Sequence, residues 1–294
     1  MKTKLVTSFY TDISDHPFYG HECFSRHERY LHSLRTLNNL NTEIICFCNS
    51  SQYSNLIDYC QIFNLSNVEI KISNLDEFTH TKKMRQIKES TNDFKFYHEV
   101  DWNKFFLIEK EFMPQYDYIY WIDVGISHRG LFLEKYNPFA DKIDGLSKTY
   151  ENYSFTNLFR PDLFDKINNW LGDKLINLAG PVSHNVEQLN KTLESEINYR
   201  NMTIGGFIGG RVDKVKWLLD EFNQVSLKVL EKNIILNHEA IMSYIVENNN
   251  GNFKTFRFDT WYHDDYWKTT PYFDRESIKN LVHFVHFFEK ELNI

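Results

Sequence analysis

The residues Tyr116-Asp117-Tyr118-Ile119-Tyr120-Trp121-Ile122-Asp123-Val124-Gly125 end a β-branched and aromatic run in one carboxylate and one glycine. A run this short and apolar, bounded by polar residues, predicts a buried strand. In open α/β sheets ligands bind outside the carboxyl ends of the strands. Asp123 therefore stands where a carboxylate could hold a divalent cation or a sugar hydroxyl. Gly125 lets backbone and ligand approach closely. The competing structural role is a strand-end aspartate that caps a turn.

A second cluster is Thr203-Ile204-Gly205-Gly206-Phe207-Ile208-Gly209-Gly210-Arg211, with four of the chain's 11 glycines inside six residues. Glycine weakens a strand interior and marks bulges or close approach by a ligand. Neither phosphate-loop nor dinucleotide glycine spacing is present. The segment predicts a strand and tight turn lining a pocket floor. Downstream, Asn237-His238-Glu239 opens a helix in which Asn237 suits the N-cap. Glu239 falls in the first turn, where the helix dipole favours a negative charge.

These residues need a scaffold. Leu5 to Tyr10, the segment around Cys46 and Cys48, Val68 to Ile72 and Phe253 to Phe258 read as strands. Helical spacing recurs at Leu56 to Ile62, at Trp102 to Phe112, at Val215 to Val229 and from Asn237 onward. Strands alternating with helices predict an α/β fold with a mostly parallel central sheet and helices on both faces. Between 126 and 200 the rhythm breaks, with one helix expected around Leu163 to Leu171 and another from Asn185 to Tyr199. The chain reads as one domain: 1–125 a nucleotide-binding half, 126–200 an insertion on the acceptor side, 201–294 a half that completes the pocket.

Composition narrows the classes. The net charge of −7 with no Lys/Arg block excludes the electrostatic footprint of a nucleic-acid binder. Cys46 and Cys48 share one strand face and read as small buried apolar groups, since no zinc spacing accompanies them. No apolar run approaches the roughly 20 residues a membrane span needs. A cytoplasmic protein able to work beside the inner membrane is expected.

Taken in order, the Val-Thr-Ser-Phe-Tyr strand at 6–10, the Trp-Ile-Asp-Val-Gly-Ile-Ser segment at 121–127, the double Gly-Gly at 205–210, the His-Glu helix start and the aromatic, histidine-containing tail resemble the bacterial HtrL/YibB-type family, which includes WlaTC-type proteins of surface-polysaccharide loci. More distantly, the chain is similar to GT-A glycosyltransferases of the glycogenin-like kind. The resemblance spans about Lys4 to Phe288. It implies a GT-A fold, a nucleotide-sugar donor and a divalent cation, manganese or magnesium. It also implies that Asp123 takes the first position of an Asp-x-Asp metal motif, whose second position is here Gly125. His283 and His286 are the implied late metal ligands, with His128 a further one. In a strand only one of the histidines 283 and 286 faces the site; on a helix both can. The resemblance places Thr7, Ser8 and Phe9 against base and ribose, where Tyr10 could stack on the base. Gly205 and Gly206 would let the sugar lie against backbone.

Glycosyl transfer builds negative charge on the leaving diphosphate and positive character at the sugar carbon. A cation or a Lys/Arg must take up the leaving charge. Lys104 and Arg211 are the candidates, although Lys104 also suits a solvated helix face. An inverting enzyme needs a carboxylate base near the acceptor hydroxyl, and Glu239, Asp264 and Asp265 are available. The expected function is transfer of a sugar from a nucleoside-diphosphate sugar, UDP first, to a cell-surface glycan. The alternatives are a non-catalytic carbohydrate-binding protein on the same fold and a sugar nucleotidyltransferase.

Overall fold

A computed structural model describes residues 1–10, 30–31, 34–35, 37–40, 42–88, 97–124, 162–180, 185–199 and 202–257. Its strands are β1 (Thr3–Phe9), β2 (Glu43–Cys48), β3 (Val68–Ile72), β4 (Tyr118–Ile122), β5 (Leu175–Gly180), β6 (Met202–Arg211) and β7 (Phe253–Arg257). Its helices are α1 (Ser50–Ile62), α2 (Thr79–Lys88), α3 (Tyr97–Glu109), α4 (Leu163–Leu171), α5 (Asn185–Leu193), α6 (Val212–Glu231) and α7 (His238–Asn248). The strands form one sheet in the order β3-β2-β1-β4-β6-β5-β7, in which only β6 runs against its neighbours. The fold is the expected mixed α/β class with a mostly parallel sheet.

Strand periodicity sorts the core onto two faces. Val6, Ile45, Phe47, Ile119, Trp121 and Ile208 pack beneath α2, α3, α6 and α7. Phe9, Cys46 and Cys48 face the other way, against Leu56 and Cys60 of α1. Tyr120, also on that face, stacks on Phe207 with ring centroids 5.2 Å apart, and its hydroxyl donates to Asn168 Oδ1 of α4 at 2.6 Å. Helices therefore cover both faces, and the paired cysteines are buried free thiols as expected.

Three details differ from the sequence expectation. β5 falls inside the segment where no strand was expected. α5 stops at Leu193 rather than reaching Tyr199, because Glu194 takes a left-handed φ of 53° that ends the helix. The segment expected to form a strand and tight turn is a single strand: β6 runs on to Arg211, with Gly209 and Gly210 at φ of 154° and 153°. A β-carbon on Gly209 would overlap the Ile119 carbonyl and Tyr120 of β4, so these glycines serve close strand contact.

Helix α3 is buried on nearly all sides, so its polar residues need partners inside the protein. Glu99 accepts two bonds from Arg85 at 3.0 and 2.8 Å. Asn103 Nδ2 donates to Thr81 Oγ1 at 2.5 Å and to the Glu99 carbonyl at 2.6 Å. Nearby, His80 is buried, stacked on Phe106 with centroids 4.4 Å apart, and within 3.0 Å of Ser226 Oγ. Burial, with Lys83 beside it, lowers the His80 pKa from 6.5 to about 4. The unfolded chain takes up this proton near 6.5 and the folded one only near 4, so the neutral form stabilises the fold fully above pH 6.5. That contribution, about 3 kcal/mol, is lost as the pH falls from 6.5 to 4. His80→Gln, which keeps a hydrogen-bonding amide, is expected to flatten this part of the pH profile; urea unfolding at pH 7 and pH 4.5 measures it.

Among the described residues no helix is long and apolar enough to cross a membrane.

Candidate active site

The sheet order sets where a ligand can enter. From β1 the chain builds outward through β2 to β3, and then β4 is laid on the opposite side of β1. The carboxyl ends of β1 and β4 thus flank the switch point, the place where doubly wound sheets open a crevice. Val6 is paired with Trp121. Continuing that register two residues sets Ser8 level with Asp123.

On the other side of β4, strand β6 departs from β5. Asn177 pairs with Ile208, but the next residue, Leu178, pairs with Ile204. Three residues of β6, Gly205 to Phe207, are therefore looped out of the β5 ladder. A bulge of this kind leaves backbone groups without ladder partners, and these must be satisfied elsewhere. The Gly205 N–H donates to Glu239 Oε1 at 3.1 Å. The Gly205 carbonyl accepts from Lys104 Nζ at 3.0 Å. The Gly206 carbonyl accepts from the Asp123 N–H at 2.8 Å. One oppositely charged side chain thus holds each end of the Gly205 residue, and the bulge is tied to the end of β4.

Asp123 completes the cluster. Its Oδ1 accepts from Trp121 Nε1, on the same strand face, at 2.5 Å and lies 3.6 Å from Lys104 Nζ. Lys104 is only 1% exposed while the Asp123 side chain is 42% exposed, so the ammonium is a fixed internal charge and the carboxylate faces outward. Oδ2 lies over Gly206, 3.7 Å from where a β-carbon would sit. Gly206 has an ordinary φ and room for that carbon, unlike Gly205, Gly209 and Gly210 in the same strand.

Behind Lys104 lies a further pair. Asp101, one turn earlier on α3, places Oδ1 3.8 Å from Lys104 Nζ and Oδ2 3.5 Å from His238 Nδ1. Burial acts to raise the Asp101 pKa, but the facing His238 and Lys104 more than offset it and hold the carboxyl well below the usual carboxylate range. His238 opens α7, is buried, and presses its imidazole against the Cα of Gly205, where any β-carbon would overlap it. The glycine at 205 is thus required by His238. Asn237 caps α7, its Oδ1 accepting from the Glu239 N–H at 2.9 Å, as its type and place predict.

The structure brings Asp123, Lys104, Gly205, Gly206 and Glu239 together. Both Glu239 oxygens are engaged, Oε1 by Gly205 and Oε2 by Asn237 Nδ2 at 3.2 Å. Lys104 is no solvated helix residue. Thr7, Ser8 and Phe9 end β1 at the crevice but are buried. Tyr10, expected to stack on a base, is 1% exposed and its hydroxyl donates to the Ser73 carbonyl at 2.7 Å, which places its ring in the core. Arg211 is not brought to the site. It pairs with Tyr118 at the amino end of β4, and its guanidinium is bound to Asp213 at 2.9 Å on the surface. Gly125, His128, Asp264, Asp265, His283 and His286 lie outside the described residues. Asp101 and His238 were not singled out for a role. The i,i+3 spacing of Asp101 and Lys104 was visible, whereas nothing local ties residue 101 to residue 238.

For a divalent cation, Asp123 offers a suitable donor among the described residues. Asp123 Oδ2 is an outward-facing carboxylate oxygen, whereas Oδ1 is occupied by Trp121. Among the described residues no group of three or more His, Cys, Asp or Glu is arranged to hold a metal.

No protein-family model and no curated protein matches the chain. Two solved structures of similar shape are mouse xyloside xylosyltransferase 1 in its apo form and 4-diphosphocytidyl-2C-methyl-D-erythritol synthase from Anaerococcus prevotii. The first is 8% identical, with 96% of this chain and 94% of that one covered and a TM-score of 0.45. The second is 10% identical, with 97% and 96% covered and a TM-score of 0.38. Likeness at this level carries no argument about activity.

Proposed function

We propose that the chain is a glycosyltransferase that moves a sugar from a nucleoside-diphosphate sugar, UDP first, to a cell-surface glycan. The observation that carries this is the outward-facing Asp123 carboxylate at the switch point, beside the internal Lys104 ammonium and the bare backbone of Gly206. In this role Lys104 lends positive charge to the leaving diphosphate, and Gly206 leaves the sugar room against the strand. Manganese or magnesium, when bound, would supply further charge relief at the diphosphate; Asp123 Oδ2 would hold it, with His283, His286 or His128 as the remaining protein ligands. Glu239 holds the bulge. The base for the acceptor hydroxyl is assigned to Asp264 or Asp265, and 126–200 to the acceptor side. The resemblance to the HtrL/YibB-type family supports the same reading, as does the switch-point crevice, and the work is placed in the cytoplasm.

Thermal unfolding with UDP, GDP or CMP, with and without manganese, tests this on wild type and Asp123→Asn. A nucleotide at 100-fold over its dissociation constant adds about 2.7 kcal/mol, roughly 4 °C for a chain of this length. A manganese-dependent rise for one nucleotide, absent in Asp123→Asn, is the expected result. No rise with any nucleotide would overturn the reading in favour of a carbohydrate-binding protein.

A further inference from the structure

We infer that Asp101 and His238 form a positioning pair that aims Lys104 into the donor site. Lys104 Nζ has three N–H donors, and three oxygens surround it: Gly205 O at 3.0 Å, Asp123 Oδ1 at 3.6 Å and Asp101 Oδ1 at 3.8 Å. The first two belong to the site itself. Asp101 stands behind the ammonium on the same helix, so it sets the direction from which the charge is presented. A free aspartate side chain would turn about its χ angles. Here its second oxygen is 3.5 Å from His238 Nδ1, and burial rather than a hydrogen bond holds the His238 ring. The imidazole is buried, lies against the Gly205 backbone and approaches the Phe105 ring edge with centroids 6.4 Å apart. One imidazole therefore touches the bulge directly and also reaches it through Asp101 and Lys104. The helices α3 and α7 and strand β6 meet at this point.

The inference rests on the nucleotide-sugar reading for its ligand. It yields an effect of opposite sign to simple electrostatics. Removing a negative charge beside an anionic diphosphate should by itself tighten binding. Loss of positioning weakens it. Calorimetric titration with UDP, GDP and CMP, each with manganese, is to be run on wild type, Asp101→Asn, Lys104→Met and the double variant. Whichever nucleotide binds wild type is expected to bind Asp101→Asn about tenfold more weakly, with no added loss from Asp101→Asn once Lys104 is gone. Equal or tighter binding by Asp101→Asn overturns the inference. So does an equal loss in the Lys104→Met background, which would mark Asp101 as structural.

If melting shows Asp101→Asn unfolded, His238→Asn against His238→Ala decides. An asparagine amide can stand where Nδ1 stands and is expected to keep the affinity that alanine loses; equal affinities overturn the inference. If wild type binds none of the nucleotides, the nucleotide-sugar reading fails alone. A crystal structure of Asp101→Asn then decides, or of His238→Ala if the former does not fold. Lys104 Nζ is expected to leave the Gly205 carbonyl, and finding it in place sinks the pair.

Discussion

Lys104→Met is expected to lower kcat/KM by roughly 10²- to 10³-fold, the loss seen when a preorganised charge aimed at a developing anion is removed. Methionine has nearly the length of lysine and no charge, so the site keeps its shape. The Gly205 carbonyl loses its partner, at a cost of about 1–3 kcal/mol. Against that, an apolar side chain replaces an ammonium that is 1% exposed, which removes a desolvation penalty. The Asp123 side chain, 42% exposed, can take water in place of its ion pair. The fold should therefore survive with a melting temperature within a few degrees of wild type, and activity should not. Lys104→Arg should fail to restore it, because a planar guanidinium does not fit a space built for one compact ammonium. Steady-state rates with the donor named by thermal unfolding provide the measurement. Activity near wild type would remove Lys104 from the reaction.

Gly209→Ala is the largest expected effect on stability. The new β-carbon would enter the Ile119 carbonyl and Tyr120 of β4, at a φ of 154° that side chains rarely adopt. Both strands are central, so neither can move aside without breaking ladder bonds on its far side. A loss of about 4 kcal/mol or more follows, a large share of the roughly 5–15 kcal/mol that holds an ordinary domain together. Gly206→Ala provides the control. Its nearest atom would be Asp123 Oδ2 at 3.7 Å, and its φ is ordinary. Denaturant unfolding should separate the two variants, with Gly206→Ala within about 1 kcal/mol of wild type. If Gly209→Ala is as stable as Gly206→Ala, the strand contact described for β6 is wrong.

Most of the sheet was legible because each strand is a short apolar or alternating run. β5 was not. Asn177 interrupts Leu175-Ile176-Asn177-Leu178-Ala179 and makes it read as irregular. Its amide is satisfied by neighbouring strands: Oδ1 accepts from Thr203 Oγ1 at 2.9 Å, and Nδ2 donates to Thr255 Oγ1 at 3.2 Å. Those partners lie 26 and 78 residues away, beyond any local pattern. The site divides in the same way. Asp123 at a strand end, the Gly-Gly pair and the capped helix at Asn237 carry local signatures. The Asp101–His238 contact and the burial of Tyr10 depend on which helices meet over the sheet. Arg211 lies away from the site because adjacency to the glycines in sequence is not adjacency in space. Along an extended strand, six residues separate Gly205 from Arg211 by about 20 Å.

The position of β6 also bears on how the protein comes to be folded. β4 pairs with β1 across more than a hundred residues, and the site then waits for β6 and α7, which are made later still. Contacts this distant in sequence form slowly, because a long loop must close before any contact repays it. A partly folded species could hold β1 to β4 and the Asp123 carboxylate, yet it would have no Gly205 for Lys104 to grip and no imidazole behind Asp101. The assembled crevice is thus a property of the finished chain. A nucleotide that recognises it would select completed molecules from a refolding mixture, and would slow their unfolding by holding in place the strand that completes the site.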